Sequence, residues 1–474
     1  MSISTTACII GAGPAGYVAA IRLAQLGVPV TLVEREARLG GTCLNVGCIP
    51  SKAYISAAKL WAEIGHAEEV GISVQGRSLD LAKMKAWKDS IVQRLTGGIA
   101  ALLKNNKVQV LGGTAKFTGP NSISITSASG TVALTAQHFV IATGSRWIDI
   151  PALPVNEQDV LSSTGALDLC AVPKSLAVIG GGVIGLEIGM YLMKFGTKVT
   201  VVELMDQILP GTDADCVKVL ARRLKKEGAV VHLKTKATGF ARTEAGIELA
   251  IETPTGAKSV VVEKILVAVG RRPNSGDLGL EAAGVTLDQR GFVVTDAQRR
   301  SSNPAVFAIG DVAGAPLLAH KGSKEGLLVA DVIAGKNSIW DVRAMPGAIF
   351  TDPEIASVGL SEAQAKAAGL TVRIGTFPFA ASGRALASRE TEGLVKIIAD
   401  ASSDKLLGVH ICGPHASELI AEAALAIEAG LSAEDLALTV HTHPTFAETM
   451  MEAAEDVHHL AVHIYNPAKP SGQQ

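Results

Sequence analysis

Gly11-Ala12-Gly13-Pro14-Ala15-Gly16 stands between the apolar run Ala7 to Ile10 and an alanine-rich helical segment, and a second apolar run then ends in Glu34. Three glycines at this spacing predict a dinucleotide turn between a strand and a helix. The first permits the tight turn, the second lets the backbone approach a pyrophosphate, and the third lets helix and strand pack closely. The helix N-terminus offers free N–H groups and a positive dipole end to the phosphates. Glu34 falls where a carboxylate accepts hydrogen bonds from an adenosine ribose.

The chain repeats this unit. Leu176 to Glu203 carries Gly180-Gly181-Gly182-Val183-Ile184-Gly185, offset from the first copy by 169 residues at Gly180, Gly182, Gly185 and the acid. One such turn is weak evidence; two in register, each opening a helix and each followed by an acid, are strong. Two nucleotides are therefore expected. The strand–turn Phe139 to Arg146 is echoed by Leu266 to Pro273, each closing the domain that its glycine turn opened. Phe307-Ala308-Ile309-Gly310-Asp311 reads as a return into the first domain, so the second is inserted in the first.

Between the two units lies Gly40-Gly41-Thr42-Cys43-Leu44-Asn45-Val46-Gly47-Cys48-Ile49-Pro50-Ser51-Lys52. A dithiol beside a dinucleotide site is what two-electron thiol–disulfide chemistry requires. Pro50 marks a helix start, and a helix N-terminus lowers a thiol pKa. Cys48 would feel that dipole most and is the thiolate to set against an electron-poor flavin; Cys43, on the glycine loop, exchanges with substrate. Lys52, four residues on, shares the helical face of Cys48 and would stabilise charge on a reduced flavin. A zinc site would need two further ligands, and no second cysteine pair exists; Cys412 and His415 have ligand spacing but little else. Hydride does not pass usefully between nicotinamide and sulfur, so a flavin must mediate. FAD is assigned to the first unit and a nicotinamide to the second. Glu203 repels a 2′-phosphate, and Leu204 and Met205 supply no arginine to bind one, which favours NAD.

The thiolate is the nucleophile in such chemistry, so a base near neutrality is needed. His441-Thr442-His443-Pro444-Thr445-Phe446-Ala447-Glu448 supplies imidazoles and a carboxylate to orient one of them. Alone, the stretch reads equally as a helix-capping loop with two surface histidines. From about Met345 the pattern changes to short strands (Leu394 to Ile398, Leu407 to Cys412) before an apolar helix from Ser417 to Ala429, stopped by Gly430: an α+β domain with no dinucleotide turn. The tail, Asn466 to Gln474, reads as frayed.

The 474 residues suffice for about three domains. A net charge of −2 gives no ground for a nucleic-acid or membrane-surface partner. The N-terminus runs directly into a strand without a charged leader, and the most apolar window, Ser175 to Met193, is interrupted by glycines. Six cysteines is sparse and fits a reducing compartment, here the cytoplasm.

Taken together, GGTCLNVGCIPSK, GGGVIGLEIG, VAVGRRPN, FAIGD, LAHKG, FTDPEIASVG and HTHPTFAE, in this order, resemble the pyridine nucleotide–disulfide oxidoreductases over about Thr6 to Pro467. The resemblance implies an α/β protein with an FAD domain (1–147), an inserted NAD domain (148–275), a central segment returning to the FAD domain (276–344) and a C-terminal α+β interface domain (345–474) that forms a homodimer. It implies Cys48 as the charge-transfer thiol, Cys43 as the interchange thiol, and His443 as the base paired with Glu448. It places Lys52 by the flavin with Glu187 as its partner. FAD contacts fall on Gly11, Gly13, Gly16, Glu34, Gly41, Thr42, Ala115, Thr143, Gly144, Ser145, Asp311 and the stretch Leu317, Leu318, Ala319, His320; NAD contacts fall on Gly180, Gly182, Gly185, Glu187, Glu203, Ala237 and Gly270. The pattern is most like members that oxidise dihydrolipoamide, carried on lipoyl domains of 2-oxoacid dehydrogenase or glycine-cleavage complexes. Glutathione-type reductases share the cysteine loop but favour NADP, which Glu203 opposes. Mercuric reductases add a C-terminal cysteine pair, where this chain reads Pro470-Ser471-Gly472-Gln473-Gln474.

Overall fold

The computed structural model describes residues 2–466; the expectation for the tail from 467 onward lies outside them. Residue contacts divide the chain into two units, Met1–Val172 with Leu266–Asp341, and Pro173–Ile265 with Val342–Gln474.

The first unit opens with β1 (Ser2–Ile10), α1 (Pro14–Gln25) and β2 (Val30–Glu34). The cysteine segment forms α2 (Gly41–Val46) and α3 (Cys48–Gly65), and a long helix α4 (Leu81–Asn105) follows. Then come β3 (Gln109–Gly112), β4 (Thr114–Gly119), β5 (Ser122–Ser127) and β6 (Gly130–Ile141). These strands make one sheet in the order β3-β2-β1-β6-β5-β4. Pairing is parallel from β3 to β6 and antiparallel from β6 to β4. The strand Val306–Ala308 joins β6 in parallel, so the chain does return to this sheet after the insertion.

Why β1 reads as an unbroken apolar run is clear from its neighbours. Ala7 and Ile9 enter the core on one face with Leu23, Leu32 and Leu103, while Cys8 and Ile10 enter the core on the other with Phe117 and Phe139. A strand covered on both faces has no polar side to alternate with. Each fully buried leucine contributes about 1.5–3 kcal/mol. The helix Ala319–Ile333 packs on α1 at very short range: a Cβ on Gly326 would stand 2.7 Å from the Ala15 carbonyl oxygen, and one on Gly322 3.0 Å from the Ala15 methyl.

In the second unit, Ser175–Ile179, Lys198–Val202 and Val230–His232 form a parallel sheet around the helix Val183–Lys194. Lys236–Thr243, Gly246–Thr253 and Gly256–Val262 add an antiparallel meander. The C-terminal segment is a five-stranded sheet, four of whose strands are Glu354–Gly359, Val372–Pro378, Leu394–Asp400 and Leu406–Gly413. Ala416–Ala429 packs with that sheet's core, and Gly430, in the left-handed region at φ 73°, ends the helix as expected. No helix among the described residues is long and apolar enough to cross a membrane.

Candidate active site

The dithiol sits on the first glycine turn. Gly40 N–H donates to Ala12 O at 2.8 Å, and a Cβ on Gly41 would stand 2.7 Å from Gly13 Cα. Gly40 and Gly41 take φ 100° and 58°, and this pair of left-handed residues turns the chain down onto Gly13. Cys43 lies not on a loop, as the sequence reading had it, but in the short helix α2: once the glycines have turned the chain, Asn45 donates to Leu39 O and Gly41 O at 2.9 and 3.0 Å and closes the turn. Gly47 separates α2 from α3, so Cys48 occupies the first helical position of α3. Cys43 is half-buried and Cys48 exposed. Cys43 is held in its thiol form: the hydrogen bond with Cys48 and burial push its pKa up, and the nearby Lys52 ammonium only partly opposes them. Tyr17 on α1 packs beside Cys43, its phenol pKa raised by burial and by that sulfur.

Other expected flavin-side residues gather in the same unit. Thr143, Gly144 and Ser145 leave the end of β6 and are tied to Asn274, with Thr143 Oγ1 donating to Asn274 O at 2.7 Å and Asn274 N–H donating to Gly144 O at 2.9 Å. Ser145 Oγ donates to Asp311 Oδ2 at 2.5 Å and accepts from Arg271 Nε at 2.7 Å. Burial pulls the Arg271 pKa down, against the pull of Asp311 and Cys48. Arg271, Asn274 and Tyr17 were not singled out from sequence; the first two lie in VAVGRRPN, whose repeat with Phe139 to Arg146 was the available signal. The strands Ser145–Trp147 and Arg271–Pro273 pair antiparallel within this unit, and Gly270 O accepts the Ile148 N–H beside them. Leu317 and Leu318 precede the helix whose first turn holds Ala319 and His320. Ala115 is buried on β4, in the core with Phe117 and Ile125.

The two acids repeat each other in atomic detail. Glu34 accepts from Ala12 N–H at 2.7 Å and Glu36 N–H at 2.9 Å; Glu203 accepts from Gly181 N–H at 2.6 Å and Met205 N–H at 2.7 Å. Each buried carboxylate thus braces its own glycine turn with one oxygen and the following residues with the other. Each oxygen keeps a further lone pair for a ribose hydroxyl. The second glycine of each turn faces open space: a Cβ on Gly13 would meet only Gly41 Cα, at 3.9 Å, and one on Gly182 nothing within 4 Å. That is the clearance a pyrophosphate needs, so both turns fit a dinucleotide.

In the second unit Gly180, at φ 99°, and Gly185 flank this turn and the helix it opens. Glu187 is buried on that helix and accepts from Phe350 N–H at 2.9 Å. Ala237 is buried on the meander. The histidine stretch separates its two imidazoles. His441 has only 6% of its side chain exposed, with Nδ1 2.8 Å from Thr439 O and Nε2 2.8 Å from Glu422 Oε1. His443 is 80% exposed and bonds Glu448 through Nδ1 alone. Only His443 therefore has a ring nitrogen turned outward. Glu448 begins the helix Glu448–Asp456. Among the described residues no group of three or more His, Cys, Asp or Glu could hold a metal ion.

A dithiol seated on one of two matched dinucleotide turns, with an oriented imidazole elsewhere in the chain, is the equipment of a flavin-dependent disulfide oxidoreductase, and the comparisons agree. The family described as pyridine nucleotide-disulphide oxidoreductase matches residues 5–326, and its dimerisation domain matches residues 345–454. The chain belongs to this family. It is 49% identical over 461 residues to the dihydrolipoyl dehydrogenase of Thermus scotoductus, covering 97% of this chain and 98% of that one. The dihydrolipoyl dehydrogenase of Geobacillus stearothermophilus is 47% identical, with 98% of each chain covered. Among solved structures, LpdA from Mycobacterium tuberculosis superposes with a TM-score of 0.88 at 29% identity, covering 95% of this chain and 99% of that one. The Cu(II) complex of the HOCl-induced flavoprotein disulfide reductase RclA from Escherichia coli gives 0.85 at 28%, with the same coverage.

Proposed function

We propose that the protein oxidises dihydrolipoamide to lipoamide and passes the electron pair to NAD+ through FAD, the reaction of a dihydrolipoyl dehydrogenase. The observation that carries this reading is the Cys43–Cys48 dithiol docked on the Gly11–Gly16 turn, in a chain that repeats that turn with Glu203 beside it. Relatives of that name, 49% and 47% identical over nearly the full length, support it.

His443, oriented by Glu448, takes the proton of one substrate thiol at Nε2. The resulting thiolate attacks Cys43 in the oxidised pair; the Cys43–Cys48 bond breaks and Cys48 leaves as thiolate. The second substrate thiol then attacks the substrate sulfur of the mixed disulfide and closes the lipoamide ring. Its proton goes to Cys43, which is held as a thiol by Cys48 and by burial. Two electrons now rest on the cysteine pair. When bound, FAD supplies two-electron mediation between a thiolate and a nicotinamide. The residues that would hold it are Gly11, Gly13, Gly16, Glu34, Gly41, Thr42, Thr143 to Ser145, Ala115, Asp311 and Leu317 to His320, with Lys52 set to stabilise negative charge and Glu187 as its partner. NAD would lie on Gly180, Gly182, Gly185, Glu187, Glu203, Ala237 and Gly270.

We assign 1–147 and 276–344 to the FAD domain, 148–275 to the NAD domain and 345–474 to the interface domain. In a homodimer, the interface domain would carry His443 to the partner's disulfide. Lipoyl domains of a multienzyme complex deliver the substrate, and the sparse cysteines fit a cytoplasmic location.

The test is NADH oxidation by the purified protein with lipoamide, glutathione disulfide and Hg²⁺ as rival acceptors. Lipoamide should be preferred by a wide margin in kcat/KM; preference for either rival overturns the assignment.

A further inference from the structure

Behind Asp311 lies a set of buried charges that the mechanism does not use. Glu325, fully buried on the helix Ala319–Ile333, accepts the Gly310 N–H at 2.6 Å through Oε2. Its Oε1 lies 3.1 Å from Lys321 Nζ and 3.1 Å from Arg299 Nη2. Lys321, one turn earlier and itself buried, donates from Nζ to Gly310 O at 3.2 Å and Gly314 O at 2.9 Å. The N–H and C=O of one glycine are thus gripped by opposite charges. Arg299 in turn stacks over Trp340, 4.4 Å from its ring centre.

Gly310 takes φ 72°, and Asp311 follows it directly. The orientation of the Asp311 carboxylate is therefore fixed at one end by the grip on Gly310 and at the other by Ser145 Oγ. A buried ion pair is a poor device for stability, because desolvation offsets most of its attraction and an apolar replacement is often as stable. Here it does something an apolar pair cannot: it holds the N–H and the C=O of Gly310, which belong to two successive peptide groups, in fixed directions.

We propose that Glu325 and Lys321 are positioning residues for the flavin site. They set the Asp311 carboxylate to meet a polyol hydroxyl of the bound flavin dinucleotide, acting on the ligand only through Gly310 and Asp311. This rests on the reading of Asp311 as an FAD contact, which the family resemblance places at the ribityl chain. Neither residue is among those that would hold the adenine–pyrophosphate half, namely the Gly11–Gly16 turn and Glu34.

The test uses the full-length chain stripped of flavin, titrated separately with FAD and with ADP, which carries only the adenosine and phosphate half. Four proteins are compared with wild type: Asp311→Asn, Glu325→Gln, Lys321→Met, and the double variant Asp311→Asn with Glu325→Gln. Asp311→Asn should weaken FAD and leave ADP unchanged. Glu325→Gln should weaken FAD about tenfold or more, the size expected for loss of a charge-assisted hydrogen bond, with ADP within about twofold. The double variant should bind FAD no more weakly than Asp311→Asn alone, because both changes act on one contact. Should Glu325→Gln not fold, as judged by circular dichroism, Lys321→Met must reproduce the same FAD-selective loss. Equal losses for FAD and ADP, unchanged FAD binding, or additive losses in the double variant would overturn the proposal. If Asp311→Asn itself leaves FAD binding intact, the ligand reading of Asp311 fails and the positioning role falls with it.

Discussion

His443 Nδ1 lies 2.8 Å from Glu448 Oε1, and the other oxygen of that carboxylate accepts the Thr445 N–H at 2.7 Å. The carboxylate thereby fixes the ring and its tautomer, leaving Nε2 to face outward. Burial raises the Glu448 pKa, but the Thr445 N–H and the His443 ring outweigh it and hold the carboxyl below its ordinary range.

His443→Gln should slow the dithiol half-reaction by about 10²–10⁴-fold, the usual worth of a positioned acid–base group. Reduction of the flavin by NADH should be nearly unchanged, because it needs no proton acceptor there. Glu448→Gln should lie between, since the amide turns a donor toward Nδ1. Because the Glu448 pKa is depressed in the fold, the stability this pair adds is present above the ordinary carboxylate pKa and lost as pH falls through the depressed value. The acid limb of a melting-temperature profile should therefore flatten in Glu448→Gln. Rapid-mixing measurements of the two half-reactions check the catalytic claim; equal losses in both would make His443 structural.

The two cysteines should be separable by colour. Cys43→Ser cannot form the disulfide and should lose lipoamide reduction, yet NADH should still reduce a quinone acceptor. Its Cys48 thiolate, at the first position of α3, should give long-wavelength charge-transfer absorbance with the oxidised flavin. If Cys48→Ser shows that band and Cys43→Ser does not, the roles are reversed.

Glu203 is held by Gly181 N–H and Met205 N–H and cannot swing aside without leaving the buried Gly181 donor unpaired. A 2′-phosphate would meet a fixed like charge, a clash of several kcal/mol. NADH should exceed NADPH in kcat/KM by about a hundredfold or more. Steady-state kinetics with both nucleotides decide the matter, and comparable values would rule out this role for Glu203.

A site shared between two chains predicts complementation. Cys48→Ser and His443→Gln, each inactive as homodimers, should regain activity when unfolded and refolded together, approaching about a quarter of wild type if half the dimers are mixed and each holds one intact site. Mixed dimers that form but stay inactive would place the base with its own chain's cysteines.

Much of this protein is written in short-range spacing. Glycine triplets, the acids 23 residues on, Cys48 four residues before Lys52, and Glu448 at the head of its helix are all legible because helix and strand geometry fix what neighbours in sequence can do. The return of Val306–Ala308 to the first sheet was legible too, from a repeated strand–turn pattern. What no spacing rule reaches is contact between distant segments. That Gly41 lies against Gly13, that Arg271, Ser145 and Asp311 form one chain of hydrogen bonds, and that Glu325 grips Gly310 depend on how the sheet closes and how tightly α1 meets the helix Ala319–Ile333. The histidines make the same point within three residues. Residue type and spacing offer both His441 and His443, and it is the family resemblance that selects His443; the tertiary fold buries one between Thr439 and Glu422 and turns the other outward, because only packing decides which ring nitrogens are already occupied.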